Sequence, residues 1–195
     1  HWPDRATERV VVREKTQTAL VLGFPSPSRT DASRFVTRVL GSITSGLGGR
    51  FFDELRDRRS LAYTVHAFGS EHRLSGAFMA YIATAPERES EARSALLEQF
   101  DILRSTSVTE VELARAKRYM LGMHDIQQER GGAILGDIVD AWMFGAGLCD
   151  LTEIEARIQA VEAADIQRMA QQYFEPQRIV EGVVRGVSAP PEATH

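Results

Sequence analysis

A guanidinium and a phenol seven residues apart, Arg56 and Tyr63, form the pair in this chain best suited to chemistry. They lie in Gly46-Leu-Gly-Gly-Arg-Phe-Phe-Asp-Glu-Leu-Arg-Asp-Arg-Arg-Ser-Leu-Ala-Tyr63, which reads as a glycine-rich loop, a short charged helix and the start of a strand. When a nucleophile attacks a carbonyl group, negative charge grows on its oxygen, and fixed hydrogen-bond donors can receive it. Arginine stays charged and presents several N–H groups in a rigid plane, and a tyrosine hydroxyl adds a neutral donor. A plainer reading stands beside this one. Arg56 shares its helix with Asp53, Glu54 and Asp57, and exposed ion pairs of that kind contribute well under ~1 kcal/mol. Tyr63 would then be an ordinary edge aromatic. Arg58 and Arg59 read as surface charge, although either could hold an acidic substrate.

Metal chemistry has little to work with. A catalytic zinc takes about three protein ligands, and His1, His66, His72, His124 and His195 are scattered, no two within five positions. His66 and His72 could flank a strand turn, but a lone strand histidine is more often satisfied by hydrogen bonds. His124, mid-helix beside Asp125, has no evident role. No metal site is expected in this chain. Gly46, Gly48 and Gly49 make a G-x-G-G turn between two helices. A phosphate cradle follows a strand and leads into a helix, so the turn is not read as a nucleotide site. Glycine's tolerance of positive φ explains it as a flexible connection.

The elements that must position these groups follow from hydrophobic period and punctuation. Arg9–Arg13 and Thr18–Phe24 are β-branched runs, expected to form an antiparallel pair. Asp31 is expected to cap a helix to Thr44 with Phe35, Val36, Val39, Leu40 and Ile43 facing inward, and Gly46 to end it. Thr64–Ser70 and Gly76–Thr84 read as an antiparallel hairpin, the second strand apolar on both faces and so central or at an interface. Thr84–Glu87 is expected to open a helix running to Ser105 through a capping box, and Thr109–Glu112 a second one. The second helix should bury Leu113, Ala116, Met120 and Met123. Helices over Ala133–Phe144, Asp150–Val161 and Ala163–Phe174 and a strand over Arg178–Arg185 complete the chain. Strands early, helices later and one returning strand describe an α+β domain: a largely antiparallel sheet of about five strands, covered by helices on one face. Residues 1–187 read as one domain, with a loose Pro-rich tail from Ser188.

Leu55-Arg-Asp-Arg-Arg-Ser-Leu-Ala-Tyr63 resembles the arginine–tyrosine motif of the insulinase (pitrilysin) family of zinc metallopeptidases, which includes the mitochondrial processing peptidases. Thr18-Ala-Leu-Val-Leu-Gly-Phe-Pro25, the helix after Asp31, Thr109-Glu-Val-Glu-Leu-Ala-Arg-Ala-Lys117, Ile158-Gln-Ala-Val-Glu and Gln171-Gln-Tyr-Phe-Glu-Pro176 resemble the family's second repeat. The resemblance implies a metallopeptidase-type α/β roll that is one of two homologous halves closing like a clamshell. Zinc sits on the other half, on the same chain upstream or on a separate subunit. Peptide binds between the halves, partly as a strand added to a sheet edge. It further implies that Arg56 and Tyr63 hold substrate and steady the transition state. In the processing peptidases a longer glycine-rich loop handles substrate, which makes Gly46, Gly48 and Gly49 a candidate substrate loop. The family's H-x-x-E-H motif is absent, and the matching helix here, Asp31–Thr44, has neither histidine nor glutamate. This chain alone should therefore be inactive. The alternative is a non-enzymatic scaffold, as the core subunits of a respiratory complex resemble processing peptidases.

Composition agrees with a folded domain and narrows its partners. The 195 residues carry 43% hydrophobic and 26% charged side chains and a net charge of −4, ordinary for a globular chain. Without a basic surface, nucleic acid is not an expected partner, and no apolar run approaches the ~20 residues of a membrane span. The lone Cys149 offers neither a disulfide nor a metal pair. It fits a reducing compartment and equally a periplasm. The chain begins at His1 without a signal-peptide pattern and is read as a fragment of a longer protein.

Overall fold

The computed structural model describes residues 2–45, 48–144 and 147–187; Gly46 and the tail from Ser188 lie outside them. A five-stranded sheet in the order β1-β5-β2-β4-β3 is built from β1 (Thr7–Glu14), β2 (Thr18–Ser26), β3 (Thr64–Glu71), β4 (Gly76–Thr84) and β5 (Val180–Val187). All neighbours are antiparallel except β1 and β5. The expected β1–β2 pair does not form, because β5 lies between them. The burial patterns account for this. β2 is apolar along its length and buried, and needs a partner on each edge. β5 supplies one by setting Val183 beside Leu20. β1 carries Glu8, Arg9, Arg13 and Glu14 and is exposed almost throughout, which suits an edge strand.

The helix-facing side of the sheet presents Leu20, Leu22, Phe24, Val65, Ala67, Phe78, Ala80, Ile82 and Val183, all buried. Against it pack α1 (Arg34–Thr44), α2 (Glu89–Ser105) and α7 (Ala163–Tyr173). The centre of the core is a knot of phenylalanines: Phe100 lies 4.8 Å from Phe24, 5.0 Å from Phe174 and 5.5 Å from Phe51, centroid to centroid. Burying each ring stabilises the fold by about 1.5–3 kcal/mol. Glu181 intrudes on the same face, buried and held by both guanidinium arms of Arg93.

Two of the expected helix starts differ. Asp31 Oδ1 accepts from Ser33 N (2.8 Å) and Ser33 Oγ (2.6 Å), so it closes the turn before α1, which begins at Arg34. Ser33 bonding holds its carboxyl below the usual range. The Thr84–Glu87 box is not made. Thr84 still pairs with Thr18 in the sheet, and Pro86–Arg88 form a 3₁₀ turn before α2. The Thr109–Glu112 box is made: Glu112 N donates to Thr109 Oγ1 (3.2 Å) and Thr109 N to Glu112 Oε2 (3.0 Å). It opens α3 (Glu110–Gln128). Leu113 and Ala116 are buried as expected, but Met123 faces outward with Tyr119 and Ile126. The remaining helices are α4 (Gly131–Met143) and, where one was expected, two: α5 (Cys149–Thr152) and α6 (Ile154–Gln159).

Candidate functional site

Between α1 and β3 the chain makes a π-helix over Phe52–Arg58. It is entered through glycines. Gly48 has φ +84°, and a Cβ on Gly49 would meet Ser45 O at 2.4 Å, so both positions exclude other side chains on backbone grounds. The helix unwinds into a tight return. Ser60 N donates to Arg56 O (3.0 Å), Leu61 N donates to Leu55 O (2.8 Å), and Ser60 adopts φ +50°. A non-glycine residue there stores strain that its surroundings must hold. Arg88 supplies part of the hold: its Nη1 donates to Ser60 O (2.6 Å) and its Nη2 to Arg59 O (3.3 Å). Tyr63 N donates to Ala83 O (2.9 Å), seating the strand start on β4.

Both candidate residues are thus fixed by buried neighbours and free at their tips. Arg56 follows fully buried Leu55, and Tyr63 follows buried Leu61 and Ala62. Tyr63 itself is 74% exposed. The Arg56 guanidinium lies over the Phe52 ring, 4.7 Å from its centroid. Among the described residues, no hydrogen bond or ion pair engages the side chain of either Arg56 or Tyr63, and none joins the two. The surrounding arginines are committed elsewhere: Arg58 to Glu54 (3.2 Å), Arg59 to Glu54 and Glu98 (2.8 Å each), and Arg50 to Glu112 (2.7 Å). Arg58 and Arg59 are therefore surface ion-pair partners. The plainer reading of Arg56, an arginine tied to Asp53, Glu54 or Asp57, is not what the helix forms.

His66 stacks on Phe68 (5.6 Å between centroids) and lies tilted against Tyr81 (5.1 Å) on the sheet face away from the helices. His72 Nε2 lies 3.4 Å from Ser70 Oγ. No cluster of three or more His, Cys, Asp or Glu among the described residues could hold a metal ion, and α1 carries none of these residue types. The donors among the described residues do not fit a zinc site. Sequence reasoning missed Phe52 and Arg88. Phe52 stands four residues before Arg56, a spacing that could have flagged it; Arg88 is distant in sequence and gave no signal.

The family model for the peptidase M16 inactive domain matches residues 1–120. The chain belongs to that family. A zinc protease of Streptomyces coelicolor is 27% identical over 169 residues, 85% of this chain and 37% of that protein. The chain thus spans little more than a third of that relative. Among solved structures, the M16 inactive domain from Pseudomonas fluorescens superposes with TM-score 0.86 at 20% identity, over 98% of this chain and 46% of that one. The inactive peptidase domain of a zinc protease from Bordetella parapertussis gives 0.80 at 18% identity, over 94% and 98%. These likenesses establish the fold as that of an M16 inactive domain. Zinc in such proteases is expected on a catalytic half, which this domain is not.

Proposed function

We propose that this M16 inactive domain is the non-catalytic half of a zinc peptidase, presenting peptide to a metal-bearing half and steadying the reacting carbonyl through Arg56 and Tyr63. The observation that carries the reading is the state of Arg56: exposed, seated on Phe52, and kept out of the ion pairs that occupy Arg50, Arg58 and Arg59. A cation with unspent N–H groups can bind a carbonyl oxygen and hold it more tightly as charge develops. Tyr63 offers a hydroxyl on a backbone clamped to β4. The loop through Gly48 and Gly49 leads directly into the Arg56 helix, which supports a part for it, with Gly46, in presenting the peptide.

The test is kinetic, on the assembly of this domain with its zinc-bearing half. Arg56→Ala should lower kcat by about 10²–10³-fold, as loss of an oxyanion donor does, while zinc content and thermal midpoint stay unchanged. Tyr63→Phe should act in the same direction and less strongly. A fall in KM affinity alone would assign the pair to ground-state binding. Unchanged kcat and KM in both variants would remove the proposal.

A further inference from the structure

Helix α4 is amphipathic in the wrong direction for a free-standing domain. Its large apolar residues, Ile134, Leu135, Ile138, Val139, Trp142 and Met143, recur at i, i+1, i+4 and i+5 and so form one stripe. Every one of them is exposed, Leu135 by 62% and Trp142 by 81%, whereas Ala141 is the helix's buried residue. Leu148 beyond the helix is exposed as well, and with Val139, Trp142 and Met143 it lines an apolar hollow. The helix packs on α3 and α5 and turns the stripe away from them. Single exposed hydrophobics are ordinary, but a contiguous stripe marks a covered surface. Its make-up, Trp, Met and aliphatics with the helix's one exposed charge, Asp140, lying off the stripe, is that of an interface core.

The lengths of related chains point to a candidate occupant. The Streptomyces relative is matched over 37% of its length and the Pseudomonas structure over 46%, so each carries at least one further unit of comparable size beside this domain. We propose that the outward stripe of α4 is the surface on which the zinc-bearing half docks, an inference that rests on the pairing of halves argued above. Burying Leu135 and Trp142 against that half fixes how the domain, and with it Arg56, is presented to the other active-site groups.

Hydrogen exchange read by mass spectrometry over 131–143 tests this, on this chain alone and in the intact assembly, with the two halves joined or separate as they naturally occur. The expected result is slowing of exchange across α4 by at least about 10-fold in the assembly. A Leu135→Asp, Trp142→Asp double variant should abolish that slowing and, where the halves are separate, weaken their association by at least about 100-fold. Both side chains are exposed, so the fold should survive, which far-UV circular dichroism checks. Leu74→Asp, at an exposed residue of the β3–β4 turn, should change neither readout. Arg56→Ala should lower kcat by the same roughly 10²–10³-fold and leave α4 protected, which separates failure of the site from failure of the surface. An assembly that forms with α4 unprotected, or that tolerates the double variant, overturns the docking surface and leaves the pairing of halves standing. Protection in this chain alone that rises with its own concentration assigns the stripe to a second copy instead. Absence of any zinc-bearing partner overturns both readings.

Discussion

Glu112→Gln isolates the contact that locks the glycine-loop side of the site to the helix layer. Glu112 accepts from Arg50 Nε (2.7 Å) and Nη2 (3.0 Å) while completing the Thr109 capping box. Arg50 directly follows Gly49 at the mouth of the π-helix, so one carboxylate ties the loop to the start of α3. The Arg50 guanidinium first, and then the Thr109 backbone and hydroxyl, hold the Glu112 carboxyl at about 2, against an ordinary 4.5. At 1.36 kcal/mol per pH unit this depression corresponds to about 3 kcal/mol. The side chain is 21% exposed, and solvent screening reduces the contribution to about 2 kcal/mol. The folded pKa lies below the unfolded one, so the stabilisation is complete above pH 4.5 and is lost as pH falls through 2. Urea unfolding of the wild type and Glu112→Gln between pH 7 and 3 measures it. The gap should be about 2 kcal/mol at pH 7 and shrink to about two-fifths of that by pH 3. A gap that stays constant with pH, or lies below about 0.5 kcal/mol at neutrality, would refute the account, since a neutral glutamine retains the cap but not the charge.

Two further substitutions probe the frame and the site. Arg93→Met should destabilise the domain by about 3–5 kcal/mol in urea unfolding at pH 7, because it strands the Glu181 carboxylate, 5% exposed, on the core face of β5; a loss below about 1 kcal/mol would mean that water reaches Glu181. Asp53→Asn should leave kcat and KM of the assembly within about twofold, since Asp53 is half-buried and, among the described residues, its carboxylate forms no ion pair with Arg56; a larger change would place Asp53 in the candidate Arg56 site.

The order of loop, helix, strand and hairpin was legible in the sequence because each element carries its own local mark: glycines, a period of 3.6 or 2, a capping box. The place of β1 was not. Its partner β5 lies some 170 residues away, and a parallel pairing across the whole chain leaves no local trace. Thr84 shows the opposite failure. Its capping-box pattern is present, but pairing with Thr18 won. For α4 the apolar period located the helix and could not tell which way it faces, because a period states which residues share a side and not what that side meets. Arg56 and Tyr63 stood out by type, spacing and resemblance. The return at Ser60 and its Arg88 clasp depend on contacts that no spacing encodes.

The winding of the π-helix bears on why Arg56 is left unspent. In an α-helix Asp53, three residues before, would share its face and draw it into an ion pair. Closing on the fifth residue instead of the fourth widens the turn and rotates that neighbour away. The widened register is visible in the bonds themselves: Arg59 N donates to Glu54 O (3.1 Å), and Arg59 Nε donates to the Glu54 side chain (2.8 Å), both five residues apart. Glu54 is thereby engaged by Arg58 and Arg59, and Phe52, an apolar ring with no charge to satisfy, is what lies beneath Arg56. A helix of ordinary pitch with the same residues would bring Asp53 within reach of the guanidinium. The π winding therefore belongs to the candidate site: it sets which carboxylates reach which cations in this helix, and it leaves Arg56 facing outward with its donors uncommitted.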